Sequence, residues 1–524
     1  MSSMLLTDSD EKRDDCASRP LPENRPAAGA LLVAASLLLC ASAQAADWSL
    51  VPSLGVNETY TNNVNLQPEG LAKSDFVSQI TPGFTATTNG PNLTFNGYYG
   101  LQKTYYANGN AANSSSNLLN ANAKATFIKN LLFLDSSASI TQQNISAFGA
   151  QPVDNTSAST NRTTVRTTHI SPYLSHAFDT DATSELRYAR DTVSASAGGL
   201  SSSVTDTVSF KADSGTAFRE IGWGLAYSDA TTHYQDEGNV AFENVVGKLS
   251  YLLAPHFRLV GTTGYDSNNY STLGSATSGA SWSGGFEWTV SDRTSLSASV
   301  GHKYYGNSYS LNAATRSRMA NWTLSYDESV TTTPQQFSLP GSINTAAYLD
   351  ALLSPTITDT VARTQAVNQL IQQSGLPSTL TNAVNSFTNA VFLQKQLQAA
   401  VLLTSNRTTL LLSLFDIQRV PLSSNELSAL IGVQGTTVQV GASAVLSRSI
   451  TPLLRFNTSL VASRVTSDAT GAVYNTQTVH VGFTKQLSPK LTGTVEVRRN
   501  QGQSNQVDTD YHEDAISAFF NLQL

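Results

Sequence analysis

Gly279-Ala-Ser-Trp-Ser-Gly-Gly-Phe-Glu-Trp-Thr-Val290, Ser291-Asp-Arg-Thr294 and Ser295-Leu-Ser-Ala-Ser-Val-Gly-His-Lys-Tyr-Tyr305 follow one another without a break. In the first segment Trp282, Phe286, Trp288 and Val290 share one parity, while Ser281, Ser283, Gly285, Glu287 and Thr289 hold the other. In the third, Leu296, Ala298 and Val300 alternate with Ser297, Ser299, Gly301 and Lys303. A period of two belongs to a strand with one apolar and one polar face. The four residues between are turn formers, so the stretch reads as an antiparallel hairpin.

Working outward, the same grammar fills almost the whole chain. Trp48–Tyr60, Asp75–Thr87, Leu93–Tyr106 and Leu118–Ile128 begin a series that ends with His512–Leu524 and includes Phe218–Ser228. Tight turns such as Asn89-Gly90-Pro91 alternate with long polar loops such as 61–74. Segments of about ten residues in this rhythm are the signature of an outer-membrane barrel. The fold class is therefore all-β, a transmembrane outer-membrane β-barrel of roughly 18–22 antiparallel strands with a partly helical outer-loop insertion; the segments themselves number roughly 22, an even count.

Bulk composition agrees. Charged residues make up 13% of the 524 and hydrophobic ones 40%, both under the usual values of roughly 25% and 45–50% for a soluble domain. With 19 Tyr and 20 Phe the chain is too aromatic to stay uncollapsed. A barrel needs only a thin apolar band, and its interior is wet. A net charge of −7 argues against nucleic acid. Both cysteines, Cys16 and Cys40, precede residue 45, which excludes a disulfide scaffold and a thiolate metal site from the remainder.

Residues 1–45 read as a signal peptide. The apolar run Ala30–Ala41 is too short to span a bilayer, and Ala43-Gln44-Ala45 supplies a cleavage site. Leu39 before Cys40 speaks against a lipoprotein. Sec export to the outer membrane of a Gram-negative bacterium follows as the expectation. The barrel would occupy residues 46–330 and 391–524, and 331–390 would form a partly helical extracellular insertion, a plug or a cap. Within it Asp359 caps a helical pattern over 360–374, with a shorter one at 345–353.

Parity places eight charges in the lumen: Arg187, Lys248, Arg258, Glu287, Lys303, Arg455, Glu496 and Arg498. Mixed-sign ladders of this kind line wet barrels as solvated pairs. Tyr60, Tyr105, Tyr106, Trp223, Trp288, Tyr304 and Tyr305 lie near strand ends, where aromatic girdles sit. The seven histidines show no metal-ligand spacing. His302, with Ser299 and Glu287 nearby, is the best local catalytic combination, yet a rim histidine explains it as well. No catalytic residue, cofactor or metal is assigned.

Read as text, the chain resembles the outer-membrane proteins associated with the PEP-CTERM/exosortase system. The likeness is carried by Tyr60-Thr-Asn-Asn-Val-Asn-Leu66, by Ser74-Asp-Phe76 with Thr81-Pro-Gly83, and by Gly301-His-Lys-Tyr-Tyr-Gly306. Tyr326-Asp-Glu-Ser-Val-Thr-Thr-Thr-Pro-Gln-Gln-Phe337 and Thr408-Thr-Leu-Leu-Leu-Ser-Leu414 extend it. That family tends to have Asp where this chain has Asn62 or Asn63. The resemblance implies a role beside exopolysaccharide export or assembly and no enzymatic reaction. Outer-membrane lipid and lipopolysaccharide, the barrel-insertion machinery, polysaccharide and envelope export proteins are the implied partners. A diffusion porin, a structural or adhesive surface barrel and, least favoured, a lipid-modifying barrel enzyme remain as alternatives.

Overall fold

The computed structural model describes residues 47–196, 200–235, 238–272, 276–338, 349–350, 387–423, 435–506 and 509–524. These contain 22 strands. β1 to β6 are Trp48–Thr61, Asp75–Asn89, Leu93–Tyr106, Ser114–Ile128, Leu132–Asn144 and Arg162–Phe178. β7 to β12 are Ala182–Ala195, Ser203–Ser214, Ile221–Tyr234, Val240–Ala254, Phe257–Asn269 and Ser278–Ser291. β13 to β15 are Thr294–Lys303, Gly306–Arg316 and Ala320–Thr331, after which comes a short helix α1, Thr333–Ser338. β16 to β22 are Phe392–Thr404, Thr408–Pro421, Thr437–Thr451, Leu454–Ser467, Val473–Ser488, Leu491–Ser504 and Tyr511–Gln523.

Each strand pairs antiparallel with its neighbours in sequence, and β22 returns to β1 through Ser53↔Gln523 to Thr61↔Ala515. Closure leaves the sheet without a free edge, as a wall in hydrocarbon requires. Both strand termini, Trp48 and Gln523, lie at the short-turn end. The hairpin of residues 279–305 is β12–β13, in the register Trp282↔His302 to Thr289↔Ser295.

Side-chain alternation splits the wall into two surfaces. Leu249, Leu414, Trp282, Val300, Val497 and Ile516 point outward and stay exposed, a band that only lipid covers. The inward parity is built from cross-strand hydroxyl pairs: Thr59–Ser517 at 2.8 Å, Thr262–Ser283 at 2.6 Å, Ser299–Ser310 at 2.8 Å and Ser413–Ser443 at 2.6 Å. Such pairs satisfy each other across the ladder, which is how a chain this poor in charge keeps a polar interior. An apolar exterior around a polar interior makes this an outer-membrane β-barrel. Among the described residues no helix is long and apolar enough to cross a membrane.

Several sequence expectations need correction. The ninth strand begins at Ile221 and runs to Tyr234, later at both ends than 218–228. Tyr60, Tyr105 and Trp288 are exposed on the lipid side, but Tyr106 is buried in the lumen. Consecutive residues of a strand cannot share a face, so Tyr105 and Tyr106 could not both belong to the girdle. Tyr304 and Tyr305, in the β13–β14 turn, lie beside each other with ring centroids 5.3 Å apart, and Tyr305 packs on a buried cluster. His302 stands opposite Trp282 on the lipid parity, whereas Ser299 and Glu287 stand on the lumen parity. That combination cannot converge. The helical patterns at 345–353 and 360–374 fall almost entirely outside the described residues, of which only 349–350 are helical there.

The two faces should respond oppositely to charge. Leu249→Arg, on the lipid side of β10, is expected to cost about 2–4 kcal/mol, while Ser228→Arg, on the lumen side of β9, should be nearly neutral. Urea unfolding followed by heat-modifiable gel mobility reads both.

Candidate functional site: the outer mouth and the lumen wall

At the long-loop end of the barrel the described loop residues pack against the inner wall. The β5–β6 loop, 145–161, reaches β21, β22 and the β1–β2 loop. Ala158 donates its amide to the Val64 carbonyl at 2.8 Å, and Phe387 donates to the Ile145 carbonyl at 2.9 Å. Four apolar clusters sit at this level. One gathers Val64, Val77 and Tyr106, and another Leu66, Ala147, Val465, Tyr474 and Tyr511. A third joins Phe337 of α1 and Phe387 to Val165, Val193 and Leu200. The fourth brings Val391, Leu393 and Leu422 against Tyr234, Val240 and Tyr270. Both described ends of the insertion therefore lie among buried residues of the inner wall.

α1 has a local cause. Thr332 and Gln335 cap reciprocally: the Thr332 amide donates to Gln335 Oε1 at 3.1 Å, and the Gln335 amide donates to Thr332 Oγ1 at 3.4 Å. A Thr three residues before a Gln, with Pro334 in the first turn, is a helix start readable from sequence. It is a signal the sequence reading passed over.

The polar centre of the mouth is Arg498 on β21. Its side chain is 1% exposed, and Glu513 on β22 is fully buried beside it at 2.9 Å. Arg498 also grips the carboxylate of Asp154, in the β5–β6 loop, and donates to Thr156 Oγ1 at 2.9 Å. Glu513 accepts from Thr61 at 2.9 Å and Ser157 at 3.2 Å. Asn500 Nδ2 donates to the Gln151 carbonyl at 2.9 Å, and the Gln151 amide donates to Tyr511 Oη at 3.1 Å. A buried ion pair holds only when its remaining donors and acceptors are satisfied, and here loop residues supply them.

Burial alone would raise the Asp154 carboxyl, but the Arg498 guanidinium and the hydroxyl and amide of Thr156 outweigh it, lowering the pKa from 3.8 to about 2. The Asp154 side chain is still 36% exposed, so the loop's hold rests more on Arg498–Glu513 than on this contact. Asn63 is tied in likewise: its Nδ2 donates to the carbonyls of Gln67 at 2.7 Å and His512 at 2.9 Å.

All eight charges named from parity stand on lumen-facing register positions. Lys248 and Glu287 pair at 2.7 Å with both side chains 40% or more exposed, which contributes little. Arg258 Nη1 donates to Ser250 Oγ at 3.2 Å, and Glu496 lies 3.3 Å from His480. Lys303 stands 6.0 Å from the Tyr305 ring centre, and Arg455 faces Thr484. Arg498 departs from the solvated reading, because its partners enclose it. Arg187 lies 3.9 Å over the Tyr173 ring, with Glu185 at 2.8 Å and Asp135 at 3.2 Å. Among the described residues no three metal-ligating side chains converge.

The short-turn half of the lumen carries aromatic rings. Phe133 and Tyr173 stack at 5.1 Å and 19°. Tyr98 is 36% and Phe519 40% exposed. Both lie along the wall because glycines leave room: a Cβ on Gly100 would stand 2.6 Å from Tyr98 Oη, and one on Gly55 would stand 3.3 Å from the Phe519 ring. Glycine covered by a flat aromatic neighbour is a recurrent device in sheets.

No family model and no curated protein matches the chain. Among solved structures it is similar to the FrpB iron transporter from Neisseria meningitidis, at 10% identity over 90% of this chain and 82% of that one, with a TM-score of 0.46. It is also similar to the siderophore receptor PirA from Acinetobacter baumannii, at 9% identity over 91% and 80%, with a TM-score of 0.44. A variant of the ferric enterobactin receptor PfeA from Pseudomonas aeruginosa gives 10%, 91%, 80% and 0.44.

Arg498→Met leaves Glu513 buried without its cation and should cost about 3–5 kcal/mol, with the β5–β6 loop becoming cleavable by added protease in a barrel that still floats with the outer membrane. A carboxyl whose pKa is lowered on folding stabilises above its ordinary value and loses that contribution as pH falls through the folded value. Hydrogen exchange of residues 150–158 should therefore be slow at pH 5 and quicken between about 4 and 2, and Asp154→Asn should flatten that dependence.

Proposed function

We propose that this barrel serves the export or assembly of an envelope exopolysaccharide, as its conduit or as a partner of one, in the manner implied by the likeness to PEP-CTERM/exosortase-associated proteins. The observation that carries the reading is the pair of exposed rings laid along the lumen wall, Tyr98 and Phe519. The electron-rich face of an aromatic ring attracts the electropositive C–H face of a sugar. Between the rings, hydroxyl and amide side chains offer both donors and acceptors. A glycan can thus be held by many weak contacts and still move on, which a conduit needs. A plain diffusion pore has no use for exposed rings on its wall.

Replacing Tyr98 and Phe519 together by Ala should weaken binding of the host's own exopolysaccharide fragments by about tenfold, two contacts at roughly 0.7 kcal/mol each. Titration calorimetry on the purified barrel measures it, and heat-modifiable mobility checks that the variant is folded. Deletion of the gene should lower the polysaccharide released by the cells. Release at the parental level would end the export reading.

A further inference from the structure

One ladder in the wall is incomplete. β13 and β14 pair along their full length, from Thr294↔Thr315 to Lys303↔Gly306. β15 and β16 do likewise, from Ala320↔Leu403 to Thr331↔Phe392. Between them β14 and β15 share only the pairs from Leu311↔Tyr326 to Arg316↔Asn321, the shortest ladder of the barrel. Toward the long-loop end, Gly306–Ser310 and Asp327–Thr331 run on without each other.

The cause lies in the upper ends of β15, β16 and β17. Lower down, the parity of Leu324, Leu397 and Leu414 points at lipid, and all three are exposed. Leu393 has that same parity, yet it is buried in one cluster with Tyr234, Val240 and Tyr270 of β9 to β11, and its cross-strand neighbours Val330 and Val420 pack against that cluster. At this level the lipid parity of β16 thus turns toward the lumen side of β9 to β11. Glu328 goes with it. By parity it belongs with Trp322 and Tyr326, but its side chain is 1% exposed. Tyr326 Oη donates to its Oε1 at 2.6 Å, Lys395 Nζ stands 3.8 Å away, and Oε2 has no partner.

Outside the gap Tyr309 and Val300 are exposed on the lipid face, so the parted strands lie in the half of the wall facing the outer leaflet. Unpaired backbone groups there cost several kcal/mol each unless a polar partner or water reaches them. The axial mouth, meanwhile, is lined by the four apolar clusters. We infer that the β14–β15 seam is a lateral opening between the outer mouth and the outer leaflet. It admits an amphiphile with a hydroxyl-bearing head and an acyl tail. The head donates to Glu328 Oε2 among Tyr305 and Tyr326, and the tail leaves past Tyr309. A glycolipid has this chemistry, whether it is the lipopolysaccharide of the leaflet or a lipid-linked glycan in transit. The inference rests on the ladder and holds independently of the polysaccharide reading.

The test uses the full chain in outer membranes. If the ladder continued in register, Ser308 would face Ser329 as Asn312 faces Ser325, within disulfide reach. Under mild oxidation the pair Asn312→Cys with Ser325→Cys should bridge, and the pair Ser308→Cys with Ser329→Cys should not. Spin labels at the same four positions should report the wider separation at Ser308 and Ser329. Equal bridging, or equal label distances, overturns the opening. Tyr305→p-benzoylphenylalanine then probes the ligand from inside. A photo-adduct with lipopolysaccharide in cells making no exopolysaccharide identifies the leaflet source, and an adduct seen only in producing cells identifies the glycan in transit. With no glycolipid adduct in either strain, the assigned ligand class is wrong.

Discussion

In hydrocarbon a peptide group has no water to bond, so each strand must find its hydrogen bonds in the next one, and the last in the first. That condition dictates the closure of β22 on β1, and because that pair is antiparallel the count is even. It also explains the amino-acid usage. Once the ladder supplies the polar satisfaction, one face of each strand needs only to be apolar and the other only to be wet. Ser, Thr and Asn meet the second demand in facing pairs without the desolvation cost of charges.

The two ends of the lumen obey different rules. At the short-turn end the wall is lined by hydroxyls, exposed ion pairs and rings laid over glycine. At the long-loop end it is packed like a soluble core, with Tyr474, Phe387 and Val64 fully or almost fully buried. The transition occurs where loops enter, and the polar groups they carry are absorbed by Arg498, Glu513, Asn500 and Tyr511. Arg498 has no water to fall back on, so its carboxylates and hydroxyls must come from the loop and from both flanking strands.

Period and parity made the barrel legible, because a strand repeats every two residues and a shift of one would turn every side chain over. The same rule placed Arg187, Lys248, Glu287 and Arg498 on lumen positions. It could not say which of them is enclosed. Arg498 meets Asp154 across 344 residues of sequence, and no local pattern encodes that. Tyr106, Tyr304 and Tyr305 misled for a related reason: an aromatic at a strand end is a girdle residue on one parity and a lid residue on the other. At the β14–β15 seam the lipid-facing parity itself turns inward, since Leu393 is buried with Tyr234 and Tyr270.

The Arg498 network joins a loop formed early in the chain to the two strands made last. Until β21 and β22 are in place, Asp154 and Thr156 bond only within their own part of the chain. The same bonds that tie this loop to the finished wall serve as a receipt that its circumference has closed.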